Sequence, residues 1–183
     1  MSPKKILNTG LFDFETADQS AGWIEELEKD EHTPETDEYG ISSFVYKSKK
    51  PFDPDRFWFY VQNKFPTNII RSKGLFWLSS RSDQALTWSQ AGGSLRADSA
   101  GVWWCSMPFE KRTQYLSFIE NQKTIESGWD KTFGDRKNEI VFIGQDMNQD
   151  HILSELNLCL LSDEELNTIN LETGCEDEWP VPR

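Results

Sequence analysis

Histidine and cysteine are both scarce in this chain: two histidines, His32 and His151, and three cysteines, Cys105, Cys159 and Cys175, in 183 residues. The cysteines are far apart in sequence and form no CxxC, so the paired short spacing of a structural zinc site is missing. An odd, scattered set of thiols also argues against a disulfide framework and for a reduced, cytoplasmic protein. No apolar run approaches the roughly 20 residues needed to cross a bilayer. The opening MSPKKILNTG has lysines but no apolar core, so it is not expected to act as a secretory signal. There is no GxxxxGK[ST] loop, no GxSxG elbow and no HExxH, so the commonest phosphate, acyl-transfer and zinc-protease sites are excluded. Basic charge is short as well. The net charge of −12 works against a polyanionic partner and argues against nucleic acid.

What the chain has is rings: aromatic residues make up 13% of it, with eight tryptophans. The length suits one domain with a hydrophobic core. Charge is uneven, −8 over residues 1–38, +2 over 39–160 and −6 over 161–183, so the acidity belongs to the two ends. EELEKDEHTPETDE, residues 25–38, reads as a linker, preceded by one or two short helices around Phe12, Phe14, Trp23, Ile24 and Leu27. YGISSFVYK predicts a strand over 39–48. Asp53 then serves as an N-cap and Pro54 as the first helical residue, with Phe57, Tyr60, Val61 and Phe65 on the apolar stripe. Further strands are expected at 74–80, 84–91 and 101–107, with the Gly92-Gly93 pair marking a bulge or close backbone approach. A helix over 113–125 rests on Tyr115, Phe118 and Ile119, followed by the strand EIVFIG at 139–144. Helix 148–160 carries Ile152, Leu156, Cys159 and Leu160 on one stripe, and Ser162 with Glu165 forms a capping box. The order β-α-β-β-β-α-β-α predicts an α+β fold: a mainly antiparallel sheet of four to five strands with helices on one face.

Two chemical readings can be weighed from the residues. His151 and Cys159 are eight apart on the expected helix, but Cys159 fits the apolar stripe as a small core residue, so no metal site is assigned. RSKGLFWLSS, residues 71–80, matches the RNA-recognition consensus only at Trp77, because Leu75 and Ser80 stand where stacking rings are needed.

The same residues resemble something else more closely. EYGISSFVYKSKKPFDPDRF, RSKGLFWLSSRSDQALTWSQAGGSL, GVWW, WDKTFGDRKNEIVFIG and CLLSDEEL occur in that order. Together they resemble the C-terminal domain of the CobW family of GTPases, a group of metallochaperones, from about Glu38 to Leu166. The resemblance implies three parts: residues 1–37 as the end of a GTPase domain and its acidic linker, 38–166 as the C-terminal domain, and 167–183 as an acidic tail. It also implies a parent that uses GTP, magnesium and a transition metal such as zinc or cobalt. The family's phosphate loop and CxCC motif have no counterpart here, so no catalytic, cofactor or metal residue is assigned to this piece. Its expected partners are the GTPase domain of the same parent and a metalloprotein client, with no membrane. Alternating side chains give the strands at 74–80 and 101–107 two apolar faces, of which helices cover one. Arg71, Lys73, Trp77, Trp88, Gln90 and Trp104 are therefore the candidate interdomain surface. The alternative from another class is an independent module binding a protein or single-stranded RNA.

Lacking a phosphate cradle, the purified chain is expected neither to bind nor to hydrolyse GTP. Magnesium-dependent phosphate release above a heat-killed control is the contrary result.

Overall fold

The computed structural model describes residues 39–169, 171 and 177–180. The chain divides into two compact units, Met1–Glu38 and Tyr39–Arg183. The helices and linker expected before Glu38 lie outside the described residues, as does Cys175.

The second unit runs β1 (Ile41–Ser48), α1 (Pro54–Asn63), β2 (Ile69–Phe76), β3 (Gln84–Ala91), β4 (Ser94–Val102), α2 (Phe109–Arg112), α3 (Leu116–Ser127), β5 (Asn138–Gln145), α4 (Gln149–Leu158) and α5 (Asp163–Thr168). The five strands form one sheet in the order β1-β5-β2-β3-β4, with every neighbouring pair antiparallel. This is the α+β class that the sequence predicts.

The local signals act as expected at several points. The Asp53 carboxylate accepts from the Arg56 N–H at 2.9 Å and Pro54 opens α1, which satisfies a donor that the helix itself leaves free. Ser162 and Glu165 exchange both bonds of a capping box at the start of α5. The rings of α1 and the stripe of α4 close the inner face of the sheet. Phe44, Tyr46, Phe76, Leu86, Trp88, Ile140 and Phe142 point inward against Phe57, Tyr60, Ile152 and Leu156, all buried. Each such side chain contributes about 1.5–3 kcal/mol on burial.

Three boundaries differ from expectation, each for a visible reason. The strand expected at 74–80 spans 69–76. It ends because the Trp77 N–H turns to the Asn138 side chain at 2.9 Å, and Ser79–Arg81 then form a single 3-10 turn. The strand expected at 101–107 lies at 94–102. Gly92 and Gly93 are a two-residue hairpin turn joining Ala91 to Ser94, with Gly92 at φ +54, and not a bulge. The segment beyond Val102 cannot extend that ladder, since the Asp135 carboxylate takes the N–H groups of Trp104 and Cys105 at 3.0 and 2.8 Å. The helix expected over 113–125 begins only at Leu116 and buries Phe118 alone, leaving Tyr115 and Ile119 exposed. A close approach requires glycine at Gly74, where a Cβ would stand 2.0 Å from the Glu139 carbonyl oxygen on β5.

The C-terminal residues hold a further departure. Trp179, read from sequence as part of an acidic tail, is buried and stacks on Phe57 with ring centroids 5.2 Å apart. Beside it the Asp177 carboxylate accepts from Ser80 Oγ at 2.5 Å, Arg81 Nε at 2.8 Å and the Trp179 N–H at 3.0 Å. Burial opposes the charge on Asp177. The bonds from Arg81, Ser80 and Trp179 outweigh it and hold the carboxyl below the usual range.

Asp177→Ala, which removes the carboxylate partner of a buried guanidinium, is expected to cost about 3–5 kcal/mol in urea unfolding. Because the folded pKa of Asp177 is depressed, its stabilisation is present above the ordinary carboxylate value and is lost as pH falls through the folded one. The acid limb of the stability curve should accordingly be shallower in the Asp177→Asn variant.

Candidate interdomain surface

The six residues singled out from sequence do not form one surface. Trp88 is 2% exposed and faces the main core, where its indole N–H donates to Ser72 Oγ at 2.7 Å. Gln90, 4% exposed, sits beside it on the same face. Its Oε1 accepts from Ser72 at 3.0 Å and its Nε2 donates to the carbonyls of Ile69 and Gly92 at 3.3 and 2.6 Å. Trp77 is fully buried on the other side of the sheet, in a small second cluster with Ala85, Trp103 and Phe133. Its indole donates to the Lys49 carbonyl at 3.2 Å and the Arg136 guanidinium lies over its ring, 5.4 Å from the centroid. Trp104 is half-buried between Tyr115 and Phe118.

Three of these are corrected: Trp77, Trp88 and Gln90 are core, while Trp104 packs on α3 and keeps part of its ring exposed. Sequence alternation rightly gave this strand region apolar side chains on both sides, but the chain's own Trp103 and Phe133 fill the second side at that end. Trp77 was also the single ring that fitted an RNA platform, and a buried ring cannot stack on a base.

Arg71 and Lys73 remain, both exposed on β2. Register places them in the middle of the sheet's outer face. Arg71 stands between Ile143 of β5 and Ala91 of β3, and Lys73 between Val141 and Ser89. Val45 of β1 lies opposite Val141, so apolar side chains continue to the sheet edge. Val45, Val141 and Ile143 are 45%, 39% and 37% exposed, more than β-branched residues on a covered face would be.

The other charges on this face are matched. Glu139 receives Lys137 at 2.5 Å and Lys47 at 3.1 Å, and these two bonds lower its pKa. Arg96 pairs with Asp98 at 2.6 Å. Arg71 and Lys73 have no carboxylate partner among the described residues, so the centre of the face is positive amid apolar neighbours. The apolar half of this surface was missed from sequence, although a signal existed. In EIVFIG the residues out of phase with Ile140 and Phe142 are also β-branched.

The metal reading gains nothing from the geometry. Among the described residues no group of three or more His, Cys, Asp or Glu side chains could hold an ion. Cys159 is buried beneath α1, its Sγ donating to the Glu155 carbonyl at 3.3 Å, and burial pushes its thiol up to about 11. His151 is exposed. Among the described residues no helix is long and apolar enough to cross a membrane.

These features define an α+β domain that presents one open sheet face. The chain belongs to the CobW C-terminal domain family, whose model, described as the cobalamin synthesis protein cobW C-terminal domain, matches residues 41–160. It is 42% identical over 166 residues to the zinc-regulated GTPase metalloprotein activator 1 of Dictyostelium discoideum, covering 89% of this chain and 34% of that protein. It is 31% identical over 126 residues to a zinc chaperone of Mycobacterium tuberculosis, covering 69% of this chain and 31% of that one. The chain thus spans about a third of the length of the curated relatives it matches. Among solved structures, the Zn(II)-bound YjiA GTPase from E. coli is similar at 16% identity and a TM-score of 0.47, covering 72% of this chain and 33% of that one.

If the tryptophans are core, Trp88→Ser should destabilise the chain by about 3–5 kcal/mol in urea unfolding. Lys73→Glu, on the open face, should change stability by no more than about 0.5 kcal/mol. Equal effects from the two would contradict this division of core and surface.

Proposed function

We propose that this chain is the accessory, docking and regulatory domain of a CobW-like GTP-hydrolysing metallochaperone, and that it carries no catalytic site of its own. The carrying observation is the family match over residues 41–160 in a chain that spans only about a third of its relatives. On this reading GTP and magnesium, and a transition metal such as zinc as cargo, belong to the remaining two thirds of the parent. The partners are the parent's GTPase domain and a metalloprotein client. On the same reading residues 1–37 are the end of the GTPase domain and an acidic linker, 38–166 the accessory domain and 167–183 an acidic tail.

The docking surface is the outer sheet face, centred on Arg71 and Lys73 and not on the tryptophans. Unmatched cations among Val45, Val141 and Ile143 favour a neighbour with carboxylates inside an apolar rim, because complementary charge sets orientation while apolar burial supplies affinity. Nucleotide state can regulate such a contact only if the two states of the GTPase domain offer different partners to these residues.

In the parent protein, Arg71→Glu with Lys73→Glu should weaken association of separately expressed GTPase and C-terminal domains by about tenfold or more, read by titration calorimetry. The variant chain should unfold at the same urea concentration as the original. Unchanged association would overturn the docking surface, and GTP hydrolysis by this chain alone would overturn the accessory reading itself.

A further inference from the structure

The sheet ends in two edges, β1 and β4, and β4 is the barer: among the described residues it pairs only with β3, and seven of its nine residues are exposed. Which backbone groups it offers can be read from one contact. Thr87 Oγ1 on β3 donates to the Asp98 carbonyl and accepts from the Asp98 N–H, both at 3.1 Å. The main chain of Asp98 therefore points toward β3. By the period of two so does that of Arg96, and the N–H and C=O groups of Leu95 and Ala97 point out of the sheet. An open row of this kind is a template for a further strand.

Edge strands are commonly protected by charge, and β4 does carry Arg96 and Asp98 on its outer face. Protection by charge works through like sign, since a copy of the same edge then meets repulsion. Here the signs are opposite and the two positions flank Ala97 symmetrically. Laid antiparallel on itself about Ala97, the strand brings Arg96 opposite Asp98 of the second copy, and Asp98 opposite its Arg96. Ala97 faces Ala97, and Leu95 faces Ser99. The small side chains at the centre let the two backbones approach. The other edge has no such symmetry, because the outward positions of β1, Ser43, Val45 and Lys47, supply one charge and no opposite.

We infer that β4 is a homotypic edge, through which two copies of this chain pair antiparallel about Ala97 with two reciprocal Arg96–Asp98 ion pairs. The ladder is short. The register shift between Ala85 and Leu86, opposite Ser99 and Gly101, ends it on one side and the Gly92-Gly93 turn ends it on the other. The dimer is therefore weak, reversible and sensitive to salt. Its twofold axis stands perpendicular to the sheet, so the outer faces of both copies continue into a single surface. The inference is independent of the interdomain reading.

The test is sedimentation equilibrium of the whole chain between about 5 and 200 µM, a range that brackets weak self-association. A reversible monomer–dimer transition is expected, shifted toward monomer in about 0.5 M salt. Arg96→Glu makes both flanking positions acidic and Asp98→Lys makes both basic, so each variant alone should raise the dissociation constant by about tenfold or more. Mixed one to one, the two should recover a heterodimer, since every cross-strand pair is again opposite in sign. Circular dichroism of each variant checks that the fold is kept, and Ala97→Pro, which removes an edge donor, is a second way to break the ladder. A chain that stays monomeric over the whole range overturns the inference. So does a dimer that survives both charge reversals, or a mixture that fails to associate.

Discussion

The ring of Phe57 is the point on which the second unit closes. It stacks on Phe52 at 4.0 Å, which tethers the loop between β1 and α1. It meets Phe76 and Trp88 at 5.5 and 5.6 Å, which docks α1 on β2 and β3. It also stacks on Trp179 at 5.2 Å, which brings the C-terminal residues onto the same face. The adjoining loop and three partners distant in sequence thus share one buried ring, and each ring pair adds about 0.5–1.5 kcal/mol beyond area burial. Because side chains alternate along each strand, the opposite face carries Val45, Val141 and Ile143 together with Arg71 and Lys73.

What the sequence made legible were features set by neighbours a few residues apart. Asp53-Pro54, the Ser162–Glu165 box, the alternation in β1 and the stripe of α4 all act within about one turn or one pleat, and all stand where expected. The misplaced features depend on partners far away in the chain. Trp77 leaves its strand because Asn138, 61 positions on, takes its N–H. The segment after Val102 is not a strand because Asp135 takes two of its donors. Trp179 looked like tail because its acidic neighbours suggest solvent, whereas Asp177 is acidic in order to meet Arg81 inside. Those pairings carry no local trace. The interdomain candidates divided the same way: burial of tryptophan is decided by the whole fold, while Arg71 and Lys73, expected just before a strand at 74–80, lie within β2 and are exposed on it.

The central pair of strands gives the outer face its shape. Glycine at Gly74 lets β2 lie flush against the Glu139 carbonyl of β5. Any side chain there would wedge the two apart and tilt Arg71 and Lys73 away from Val141 and Ile143. One row farther along, Lys47 and Lys137 neutralise Glu139 and draw its carboxylate away from Lys73. Had Glu139 been free it would itself have quenched the cation. The positive centre is thus maintained by pairing the nearest acid elsewhere.

Taken as a sum, a net charge of −12 disfavours an acidic partner. Range decides otherwise. Fields from exposed charges decay over about 8 Å at physiological ionic strength, so a docking surface responds to the charges on its own face far more than to the sum over the chain. The body between residues 39 and 160 carries +2, and Arg71 and Lys73 sit together on one side of the sheet. Long-range approach is then governed by the acidic ends, and short-range fit by Arg71 and Lys73. If the proposed docking role holds, such an arrangement disfavours loose encounters with acidic surfaces in general while still rewarding one that places carboxylates over β2.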